Sequence, residues 1–141
     1  MFPLDRPQLV ANGNIRPNRF LTTVTGNANF LLVVEATADS QFIIGISGSS
    51  TRYAPNSPGD DGYNAIAGET MEGYISEGMI GQLKLGGTVD NMGSFLAAGA
   101  AGVGVATALA NAKYYGAIPL RAGLINETIP VYVKFICMPA S

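Results

Sequence analysis

Apolar residues along this chain come in short bursts separated by turn-forming residues, a spacing that predicts strands and not helices. Such bursts cover residues 19–24 (RFLTTV), 30–36 (FLLVVEA), 41–47 (QFIIGIS) and 70–76 (TMEGYIS), with a further run from Ile80 (IGQLKLGGTV); the short run from Phe95 to Ala101 is open to strand or helix. From Gly102 the chain alternates strictly. Val103, Val105, Thr107 and Leu109 fall on one side, and Gly104, Ala106, Ala108 and Ala110 on the other. That period predicts a strand with its valine side on a core and its small side open to close approach by another sheet or chain. Residues 114–135 (YYGAIPLRAGLINETIPVYVKF) predict a hairpin whose loop takes its turn chemistry from Gly123 and Asn126. On its second strand Val131, Val133, Phe135 and Cys137 form the expected core face, opposite Pro130, Tyr132, Lys134 and Ile136.

The ends and the longest loop read differently. Residues 1–18 hold three prolines and no periodic apolar face, so they should run extended. Phe2, Leu4, Leu9, Val10 and Ile15 are apolar anchors along this arm, for a neighbouring subunit or for its own domain. Residues 48–68 form a long loop carrying Arg52, Tyr53 and Tyr63, a contact set suited to another protein. The expected architecture is mainly β: a compact small β-barrel or β-sandwich over 19–141, with an extended N-terminal arm over 1–18. Gly45 in FIIGI and Gly116 in YYGAI, each after bulky strand residues, suggest points where chains cross closely at a bend.

Composition sharpens this picture. Only 13% of the 141 residues are charged, where soluble domains average about 25%. With 48% hydrophobic residues the chain has material for a core, and partners are expected to cover part of its weakly charged exterior. Net charge is −2 with Lys and Arg scattered, which argues against direct nucleic-acid binding. Residues 91–112 carry no charge but are rich in Ala and Gly, a poor lipid-facing helix, so no membrane span is expected. The N-terminus shows no pattern of a secretion signal.

Candidate chemistry is sparse. The chain has no histidine, which removes the commonest neutral-pH proton carrier and metal ligand. Cys137 is the only cysteine and reads as a buried, inert thiol. Asp60 and Asp61 have the oxygen-rich look of a cation loop without its ligand ladder, and read as a solvated turn. Glu69, Glu72 and Glu77 read as surface charge and not as a hydrolytic pair. Neither SGSSTR at 47–52 nor GAAGVG at 99–104 matches a phosphate-binding loop. No cofactor, metal or catalytic residue is expected.

The second half carries a resemblance. Residues 77–108 (EGMIGQLKLGGTVDNMGSFLAAGAAGVGVATA) followed by the 114–135 hairpin resemble small β-rich capsid decoration, or cement, proteins of tailed bacteriophages. The corresponding pieces are Gly86 and Gly87, Asp90 with Gly93, Phe95 and Leu96, Tyr115 to Ile118, Ala122 and Gly123, and the strand from Thr128. The long 48–68 loop and the alanine-rich run up to Ala112 depart from that pattern. The resemblance implies a non-enzymatic protein made in the host cytoplasm and carried on the outer surface of the virion capsid. Its partner would be the major capsid protein, with further copies of itself, up to a trimer, as an added expectation. A β-rich glycan-binding or adhesion module using Tyr53, Tyr63 and the long loop is the alternative.

Overall fold

The computed structural model describes residues 8–52, 61–71, 73–91 and 94–139. In chain order the strands are β1 (Val10–Ala11), β2 (Phe20–Thr23), β3 (Leu32–Glu35), β4 (Gly45–Ser47) and β5 (Tyr74–Ile75). They continue with β6 (Ile80–Lys84), β7 (Phe95–Ala98), β8 (Gly104–Thr107), β9 (Tyr114–Pro119) and β10 (Thr128–Cys137). A single 3-10 turn at Ala100–Gly102 is the only helical piece among the described residues, so none of them forms a helix long and apolar enough to cross a membrane. The strands build two five-stranded sheets, β1-β3-β2-β4-β5 and β6-β10-β9-β7-β8.

The central strands β2 and β4 are buried on both faces, which explains why β2 reads FLTT without polar alternation. Phe20 sits opposite Ile46 and joins the larger core with the second sheet, while Leu21 turns the other way into a smaller core with Leu9, Ala11, Ile15, Val33, Ala65 and Met71. That smaller core exists because the sheet rolls up. β1 pairs in parallel with β3, and its free edge is taken by the chain around 65–71. Ala11 N–H donates to Glu69 O at 2.8 Å, Gly68 N–H to Ala11 O at 2.8 Å, and Met71 N–H to Leu9 O at 2.7 Å. The same segment then crosses to the opposite edge, where β5 pairs with β4.

Of the expected arm over 1–18, the part from Gln8 onward is therefore packed into the domain; the earlier residues lie outside those described. From Gln8 to Asn18 the described residues form no helix. Its described apolar residues pack on its own domain: Leu9 and Ile15 are buried and Val10 is half-buried within β1.

The second sheet is antiparallel and curls into a half-barrel. Just past β6, Leu85 bridges Gly104 at the start of β8, and Gly86 N–H donates to Gly104 O at 2.8 Å, so the two edges meet at one end. Leu83, Leu85, Val89, Leu96, Ile129, Val131 and Val133 fill the interior. Burying each such side chain is worth about 1.5–3 kcal/mol.

This interior corrects the expected orientation of β8. A Cβ on Gly104 would lie 2.5 Å from Leu83 Cδ2, so the small face, with Gly104 and Ala106, points into the barrel. The valine side turns outward, and Val105 Cγ2 lies 2.7 Å from where a Cβ on Gly99 would stand. Leucines from the neighbouring strands already occupy the space, and only a strand with almost no side-chain volume fits beside them. Gly116 does act as a close crossing, since a Cβ there would stand 2.6 Å from the Phe20 ring.

A second correction concerns β10. Val133 opposes Ala117 while Ile136 opposes Tyr115, so β10 holds one extra residue between them. Such a bulge inverts the facing of everything beyond it. Phe135, half-buried, still packs against the larger core, whereas Cys137, expected inside, is exposed.

Candidate interaction surface

Arg52 was expected to meet another protein, but its guanidinium is engaged within the chain. Nε donates to Glu69 Oε1 at 2.8 Å and NH2 to Glu69 Oε2 at 2.8 Å, a two-pronged contact, while NH1 donates to Asp61 Oδ2 at 2.7 Å. Both carboxylates also accept backbone N–H groups, Asp61 from Tyr63 at 3.1 Å and Glu69 from Ile66 at 3.1 Å. Arg52 and the Ile66 amide hold the Glu69 carboxyl down to about 2, and the Tyr63 amide and Arg52 hold Asp61 below its ordinary value. The Arg52 N–H donates to Tyr63 O at 2.8 Å, and Asn64 Nδ2 reaches Ser50 O at 2.8 Å. These bonds close the base of the 48–68 loop, and Tyr63 is left half-buried. Phe2, Leu4 and Tyr53 lie outside the described residues.

Three further carboxylates among the described residues have structural work as well. Glu77 Oε2 accepts the Phe135 N–H at 2.8 Å beside the β10 bulge, Glu35 receives three hydrogen bonds from Arg16, and Asp39 pairs with Lys113 at 2.8 Å. Among the described residues no group of three or more His, Cys, Asp or Glu is placed to hold a metal ion. Arg19 is buried, with NH1 donating to Ala101 O at 3.1 Å; burial, with Arg16 nearby, lowers its pKa. It ties β2 to the 3-10 turn of the second half.

Several of the exposed apolar side chains gather on a different surface, while Phe30, Leu31, Phe42 and Leu109 are exposed elsewhere along the chain. Leu124 and Ile125 stand 62% and 57% exposed at the tip between β9 and β10, with Leu120 at its base. This tip is fastened on all sides. Gly123 and Val89 exchange both backbone hydrogen bonds at 2.9 and 2.8 Å, and Asn126 N–H donates to Leu85 O at 2.9 Å. Leu124 N–H donates to Glu127 Oε1 at 2.6 Å, and Asn126 takes the positive φ of 72° that the turn requires. A hollow of about 280 Å³ beside it is lined by Thr88, Val89, Asp90, Gly123, Leu124 and Glu127. On the neighbouring sheet face Ile80 and Tyr132 sit directly opposite each other, both exposed.

A rigid loop that holds adjacent aliphatic side chains in water forgoes their burial, which is the physical mark of a contact site. The signal was in the sequence: Leu124-Ile125 sits between the turn residues Gly123 and Asn126, where polar residues are the rule.

No protein-family model matches the chain, and no curated protein matches it. Among solved structures, the chain is similar to the N base of the head fiber gp8.5 of bacteriophage phi29. The two share 13% sequence identity over 91% of this chain and 92% of that one, with a TM-score of 0.63. At that identity the likeness is one of fold. It runs through both sheets and is not confined to the second half, where the resemblance in sequence lies.

Proposed function

We propose that this chain is a non-enzymatic phage decoration protein that binds the major capsid protein on the outer surface of an assembled shell and stabilises contacts between capsomers. The observation that carries the reading is the shared fold, over nearly the whole of both chains, with the base of a fiber of a phage head. The sequence resemblance to cement proteins and the internal engagement of the carboxylates support it. The tip with Leu124 and Ile125 supplies the main contact, and the segment before Gln8, with Phe2 and Leu4, reaches a neighbouring subunit or a further copy of the chain.

The mechanism is thermodynamic. A ligand that binds the assembled shell and not its separated subunits favours assembly by mass action. Repetition over symmetry-related positions multiplies a modest contact energy, and a second anchor on the same chain makes its attachment effectively intramolecular.

Co-sedimentation with purified shells tests this. The wild-type chain is expected to stay with the shells and raise the temperature at which they disrupt. Leu124→Ser with Ile125→Ser should fold with an unchanged Tm and lose retention by about tenfold or more, since burying one aliphatic side chain is worth about 1.5–3 kcal/mol. Failure of the wild type to bind overturns the function; equal retention of the double variant overturns the tip as its contact.

A further inference from the structure

Asn12 and Gly13 link two fixed points of the first roll. Before them Ala11 is bonded to Gly68 and Glu69, and after them Ile15 is bridged to Ala65, its N–H donating to Ala65 O at 2.8 Å. Between these anchors the backbone N–H of Asn12 donates to Val33 O at 2.8 Å. The Asn12 side chain is exposed, and it has no hydrogen-bond partner among the described residues. The Gly13 N–H has no acceptor among them either. The side of Gly13 is open: apart from its chain neighbours, a Cβ there would meet only Val34 Cγ1, at 3.8 Å.

We propose that Asn12 is a site of spontaneous covalent modification, converting to aspartate or isoaspartate in the folded protein. The Gly13 nitrogen, having lost its proton to solvent base, attacks the Asn12 side-chain carbonyl carbon. A carbon–nitrogen bond forms to close a five-membered imide, and the bond to the side-chain nitrogen breaks, releasing ammonia. Water then adds to one of the two imide carbonyls. Opening at the side-chain carbon gives aspartate, and opening at the backbone carbon gives isoaspartate. No oxidant or enzyme is needed. Either product adds a negative charge to a chain whose net charge is −2. Isoaspartate also lengthens the main chain by one carbon between Ala11 and Ile15, both of which are held.

Two neighbouring candidates show why Asn12 stands apart. Asn14 precedes Ile15, whose nitrogen is committed to Ala65 O and flanked by a β-branched side chain. Asp61 precedes Gly62, but its carboxylate is kept ionised by Arg52 and the Tyr63 N–H, and an anion is a poor electrophile.

The test incubates the folded full-length chain at mildly alkaline pH and physiological temperature. Samples are labelled with a protein-isoaspartate methyltransferase and mapped by peptide mass spectrometry. Label and the mass change of an amide-to-acid exchange should accumulate on the peptide holding residues 12 and 13, ahead of those holding 14 and 15 or 61 and 62. Asn12→Gln should abolish that label, and Gly13→Ala should slow it several-fold by crowding the nucleophile. A folded protein that keeps its Asn12 amide, while the same chain in denaturant loses it, overturns the proposal. So does label appearing first at residue 61.

Discussion

Around Arg52, three hydrogen bonds to two carboxylates decide how residues 61–69 lie against the first sheet. The Glu69 carboxyl, ordinarily at 4.5, is held down to about 2, and Asp61 is also lowered. An acid depressed in the folded state contributes stability above its unfolded value, and that contribution disappears as pH falls through the folded one. Denaturant midpoints are therefore expected to drop between about pH 4.5 and 2. Arg52→Gln should flatten that drop, and superimposable pH profiles for the two proteins would refute the assignment. The effect will be small and salt-sensitive, because both carboxylates face water. The charged and aromatic residues of this loop stood out in the sequence, but not their orientation, since a list of residues does not show which carboxylate folds back onto which arginine. Packing at Gly104 is a second residue-scale test. Gly104→Val, with its Cβ 2.5 Å from Leu83, should cost about 1–3 kcal/mol by overpacking. Gly87→Ala, with nothing within 4 Å, should leave the denaturant midpoint where it is.

Strand positions were legible because bursts of β-branched and aromatic residues between turn residues have few other uses. Observed strands lie inside the expected runs 19–24, 30–36, 41–47 and 70–76, the closing hairpin is β9 and β10, and residues 95–98, left open between strand and helix by their alanines and glycines, are β7. Facing was harder to read. In β8 the alternation was clear and its sense inverted, because the side of a strand that meets a core depends on the volume left by other strands. In β10 one inserted residue rotated Cys137 outward, and nothing local in VYVKFIC marks a bulge. β1 is the element whose environment differed most, since a two-residue strand gives no period to read. Its role sets a prediction. Removing residues 1–18 takes Leu9, Ala11 and Ile15 from the smaller core and uncovers the β3 edge. Truncations of this size in a core cost several kcal/mol, so the shortened chain is expected to lose cooperative unfolding by circular dichroism. A truncated chain that melts like the full one would show that the first roll closes without its N-terminal strand.

The molecule is two rolled sheets that share a layer. β2 and β4 give Phe20 and Ile46 to the larger core, while Leu21 gives its weight to the smaller one. Neither core can be dissolved without exposing one face of the same strands, so thermal unfolding should be a single transition with matching calorimetric and van't Hoff enthalpies. Two resolved steps would mean that the halves are energetically separate. This sharing was not legible in the sequence, where a strand apolar on both faces looks like any short hydrophobic run.

The order of pairing also bears on how the chain is made. Within the sheet β6 finds its neighbouring strand in β10, the furthest from it along the chain of the described strands of that sheet. Until β10 has been made, Ile80–Lys84 waits with an open edge beside an unfilled barrel, while the first sheet has all five of its strands once Ile75 has emerged but keeps Phe20 and Ile46 uncovered. Exposed strand edges invite pairing between nascent chains. The vulnerable interval in this protein's life is thus the synthesis of its second half, and slow codons or chaperone shortage there would be felt as aggregation of an otherwise sound sequence.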